Sequence, residues 1–106
     1  MNIKELQEKL PWTVPYSEAF EQSMDETSYF RHAMLHIGKS TGLINEYLES
    51  YDHRPSQPAI SLHHQVADLV ICALRMANTC PGGKFDLEKT IIRRLETKNK
   101  VKLDAV

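Results

Sequence analysis

The segment from Leu62 to Asn78 limits the fold more than any other part of the chain. Val66, Ala67, Leu69, Val70, Ile71, Ala73, Leu74, Met76 and Ala77 leave little polar surface on a helix, and His64, Gln65, Asp68, Cys72 and Arg75 form one narrow polar stripe. Ser61 is placed to cap its start, and Cys80-Pro81-Gly82-Gly83 stops it. A helix apolar on so many sides must be enclosed, and one antiparallel neighbour covers only one face. The expectation is an all-α bundle in which a second subunit supplies the remaining cover.

The rest of the chain agrees with that class. Ile3 to Leu10 reads as a short amphipathic helix ended by Pro11, and Pro11 to Pro15 as a stiff connector. Asp25 to about Tyr51 is the longest helical segment, with Phe30, Ala33, Met34, Ile37, Thr41, Ile44 and Leu48 at helical spacing. Arg54-Pro55-Ser56-Gln57-Pro58 breaks the pattern, and Asp86 can cap a last helix striped by Leu87, Ile91 and Leu95. No alternating β pattern or internal repeat is present. At 106 residues the chain is a single domain, 1–106, in which 1–24 is an N-terminal helix and Pro-rich connector packed on a bundle of about four main helices.

Thirteen Lys+Arg against fourteen Asp+Glu give no general affinity for polyanions, which disfavours nucleic acid as the main partner. No apolar run is long enough to span a membrane and the charged N-terminus is not a signal peptide, so no membrane partner and a cytoplasmic location are expected. On one helix, Cys72 and Cys80 would stand about 12 Å apart, beyond disulfide reach. They read as reduced, partly buried thiols.

Three segments carry a family resemblance covering roughly Phe30 to Lys100. HIGKSTGLI, from His36 to Ile44, is similar to the first catalytic helix of the MazG-like nucleotide pyrophosphohydrolases, where E-E-x-x-E has a glycine before its last glutamate. QVADLVICALR, from Gln65 to Arg75, resembles the E-x-x-D helix of that all-α NTP pyrophosphatase superfamily, and Phe85 to Asn99 resembles its closing helix, which often ends in Lys-Asn. The resemblance implies a MazG-like bundle, completed as a homodimer or higher homo-oligomer, and a hydrolase that uses Mg²⁺ to release pyrophosphate from a nucleotide. Carried over residue by residue, Asp68 keeps its carboxylate. Gln65 replaces the glutamate of E-x-x-D, Lys39 and Ser40 stand at the first two glutamates, and Leu43 stands at the third.

The implied roles are therefore Asp68 as metal ligand, Gln65 orienting water, and Lys39, Ser40, Lys98 and Asn99 contacting the substrate, with Arg93 and Arg94 near the closing motif. Glu46 and Glu49 are reserve carboxylates in a shifted register. A hard cation wants several oxygen ligands, and one carboxylate with one amide is a poor Mg²⁺ site, so a catalytically impaired homologue that binds a nucleotide or phosphorylated ligand is the leading expectation.

Two alternatives stand beside it. His32 and His36 are four apart on one helix, as are His64 and Asp68 on another, so the four could converge on a transition metal through imidazole and carboxylate. Alternatively, the chain holds no cofactor and is a non-enzymatic interaction or regulatory protein on the same fold. Trp12 and Tyr16 read as a hydrophobic plug for the N-terminal segment rather than a base-stacking pair.

Overall fold

A computed structural model describes residues 1–10, 26–53 and 61–103, which form four helices. They are α1 (Ile3–Lys9), α2 (Glu26–His53), α3 (Leu62–Asn78) and α4 (Leu87–Thr97). No strand occurs among the described residues. The all-α expectation holds, while the connector with Trp12 and Tyr16 and the break from Arg54 to Pro58 lie outside the described residues.

Each helix that has a described start is capped by the residue type its chemistry requires. Asn2 Oδ1 accepts from the Glu5 N–H at 2.8 Å, Ser61 Oγ from the His64 N–H at 3.3 Å, and Asp86 Oδ1 from the Lys89 N–H at 3.0 Å. Each cap satisfies one of the amide donors that a helix leaves unpaired in its first turn. Between α3 and α4 the Gly83 N–H donates to the Cys80 carbonyl at 2.9 Å, and Gly82 has φ of 92°. This is a type II turn, with proline at its second position and glycine where φ must be positive.

The main helix–helix contact is α2 against α3, and α1 packs on both α3 and α4. Among the described residues the buried apolar side chains are Ala33, Cys72, Leu74 and Ala77, all but one of them small. Ser40 is buried as well. The covered face of the long helix keeps Phe30, Ala33, Ile37 and Ile44 of the expected stripe and is shifted away from Met34, Thr41 and Leu48. Ala33 and Ser40 are its buried positions, whereas Met34 and Leu48 remain about half exposed. Small side chains let two helices approach closely, and that decides which side of α2 is covered. On α3 the C-terminal half is enclosed, while Val66 and Val70 also stay about half exposed.

The short N-terminal helix is held by a polar knot. Gln7 is only 3% exposed. Its Nε2 donates to Asn78 Oδ1 at 3.0 Å and to the Phe85 carbonyl at 2.7 Å, and its Oε1 accepts from the Leu87 N–H at 3.0 Å. Asn78 Nδ2 returns a bond to the Gln7 carbonyl at 3.1 Å. One carboxamide thus ties α1 to the end of α3 and the beginning of α4. Gln7→Leu removes three of these bonds and strands buried partners, so it should cost about 2–4 kcal/mol. Urea denaturation of the variant beside the parent protein reads this loss directly, and a change below 0.5 kcal/mol would show that the knot does not hold α1.

Candidate functional site

Residues singled out by sequence lie mainly along one flank of the α2–α3 hairpin. At about 100° per residue, His32, His36, Lys39 and Leu43 fall on one side of the α3-facing surface of α2. With α3 running back along α2, Asp68, Cys72 and Arg75 fall on the same flank, while Met34, Leu48, Val66 and Val70 fall on the opposite one. One flank is polar and the other apolar.

Asp68 is exposed, so it does not need the buried ion pair or hydrogen bonds that its apolar sequence neighbours suggested. Gln65 is partly buried, Lys39 exposed and Ser40 buried, so these motif positions differ sharply in access to solvent. His64 is exposed near the beginning of α3. Glu46 and Glu49 are exposed, and Glu49 lies 3.7 Å from the His53 imidazole rather than turning toward α3.

The closing motif stands apart from this flank in character. Lys98 and Asn99 are exposed beyond the last turn of α4, where both backbone N–H groups donate to the Arg94 carbonyl. Lys100 then turns the chain with φ of 56°. Cations at this position complement the negative end of the helix dipole.

His32 and His36 are brought together, with their Nε2 atoms 3.0 Å apart. Partial burial, the neighbouring His36 and then Arg31 hold the His32 pKa below its ordinary value. Among the described residues, no group of three or more His, Cys, Asp and Glu side chains is arranged to hold a metal ion. Asp68 and Gln65 do not supply the oxygen-rich donor set that Mg²⁺ takes, so no hydrolytic step is derived through that ion.

Arg75 adds a feature that the sequence reading passed over. Its Nε is buried without a hydrogen-bond partner, the one such side-chain nitrogen or oxygen among the described residues. An unsatisfied buried donor is costly, more so in a charged group. The available signal was an arginine on the narrow polar stripe of an otherwise apolar helix. A separate cleft of about 310 Å³ between α1 and the start of α4 is lined by Lys4, Gln7, Glu8, Lys84, Phe85 and Asp86, and contains none of the residues given a catalytic, substrate-binding or metal role.

No family model, curated protein or solved structure matches the chain.

Cys72 and Cys80 are both free thiols, as expected. Burial raises the Cys72 pKa; Arg75 opposes that effect and Asp68 adds to it. Alkylation follows the accessible thiolate. Brief iodoacetamide treatment of native protein should therefore label Cys80 several-fold faster than Cys72, as read by peptide mass spectrometry. Equal labelling would mean that the Cys72 site opens freely.

Proposed function

We propose that the chain is a MazG-like nucleotide pyrophosphohydrolase homologue that binds the phosphates of a nucleotide but is impaired in hydrolysis. The observation that carries the reading is Arg75, whose buried Nε donor has no acceptor among the described residues. A phosphate oxygen is a strong acceptor for guanidinium, and a ligand that parts this flank enough to reach Nε would remove the cost of the unpaired donor. Lys39 adds positive charge from the same flank. The retained Asp68 and the substituted Gln65, Lys39, Ser40 and Leu43 account for weak turnover, since a lone carboxylate holds Mg²⁺ poorly.

Calorimetric titration with each common NTP and dNTP, with and without Mg²⁺, tests binding, and pyrophosphate release tests turnover. The expected result is measurable binding weakened at least tenfold by Arg75→Ala, with pyrophosphate release at background in both the parent protein and Asp68→Ala. Magnesium-dependent turnover lost in Asp68→Ala would instead establish a working enzyme. No binding to any nucleotide would remove the proposal and favour an interaction protein.

The same reading includes a homodimer formed through the apolar flank. Met34, Leu48, Val66 and Val70 supply an apolar patch for a second copy. Light scattering at micromolar concentration should give twice the chain mass, and Val70→Glu should give a folded monomer. A monomeric parent protein would remove the dimer.

A further inference from the structure

The His32–His36 pair lies within a helix of 28 residues, well away from either end. The two Nε2 atoms are 3.0 Å apart, with ring centroids 4.7 Å apart and planes inclined by 52°. In the metal-free pair, one imidazole donates through Nε2–H to the other's lone pair. Moving that proton to Nδ1 of the donating ring would free two nitrogen lone pairs beside one another, with no net change in charge.

Their separation has a coordination meaning. Imidazole nitrogens bind first-row divalent ions at about 2.0–2.1 Å, and two such bonds to atoms 3.0 Å apart enclose roughly 90°. That is the angle between adjacent ligands in tetragonal and octahedral complexes, whereas a tetrahedral ion would need the donors about 3.4 Å apart. Successive turns of the helix fix both Cα positions, so little backbone freedom is lost when the two rings bind the same ion.

We propose that His32 and His36 form a two-imidazole chelate for a divalent transition ion that accepts adjacent ligands near 90°, copper(II) or nickel(II), with water in the other positions. His64 and Asp68 are not ligands of this site, which distinguishes it from the four-residue constellation expected from sequence. The site is independent of nucleotide binding and of Arg75.

The test is titration of untagged, metal-free full chain with copper(II) in a glycine-buffered solution, followed by calorimetry and electron paramagnetic resonance. The parent protein should bind one equivalent at this site with an axial spectrum showing nitrogen ligation. His32→Ala and His36→Ala should each weaken that binding at least tenfold, because either one leaves a single imidazole. His36→Gln should behave like His36→Ala while circular dichroism shows the helices intact. His64→Ala should leave the site unchanged. Binding unaffected by loss of either His32 or His36, or abolished by His64→Ala alone, would overturn the assignment.

Discussion

The carboxamide of Gln7 joins parts of the protein that apolar packing alone would leave loosely connected. A helix as short as α1 has little stability by itself, since nucleation costs more than one or two turns return. Its amide instead meets the Asn78 side chain, the Phe85 carbonyl and the Leu87 N–H. The direction of the chain leaving α3 and the direction in which α4 begins are thereby set by one side chain. Because all these partners are polar, a misplaced α1 loses hydrogen bonds as well as contact area, which makes the seating specific.

The small residues of the hairpin have the opposite effect. Ala33 and Ser40 are the fully covered positions of α2, while Met34 and Leu48 are left about half exposed. Close approach of two backbones gains dispersion over many atoms but buries little area from any single residue. The result is a narrow joint between long helices, polar on one flank and apolar on the other. The polar flank carries the nitrogens of His32, His36, Lys39 and Arg75, and the apolar flank carries Met34, Leu48, Val66 and Val70.

Much of the architecture was legible because its signals are local. Ser61 and Asp86 announced helix starts through their cap chemistry, and Pro81-Gly82-Gly83 announced the turn. The four-residue spacing of His32 and His36 likewise placed them on one face. What depended on how α2 rotates against α3 was not legible. Of the expected stripe Ala33 is buried and Phe30, Ile37 and Ile44 are partly so, whereas Met34 and Leu48 stay half exposed and Ser40, outside the stripe, is buried. The apolar neighbours of Asp68 in the sequence gave no measure of its exposure, since its own side of the helix is open. Gln7 gave no sign of its burial, since its partners lie at the far end of the sequence.

That distance along the chain also orders events in time. The bonds from Gln7 span 71, 78 and 80 residues, so none can form until α3 and the start of α4 are available. Contacts this remote carry a large loop-closure cost and reward the chain only after the intervening helices have assembled. During synthesis, α1 therefore leaves the ribosome well before the partners that fix its place. Until Asn78, Phe85 and Leu87 have emerged, α1 remains available to chaperones or proteases.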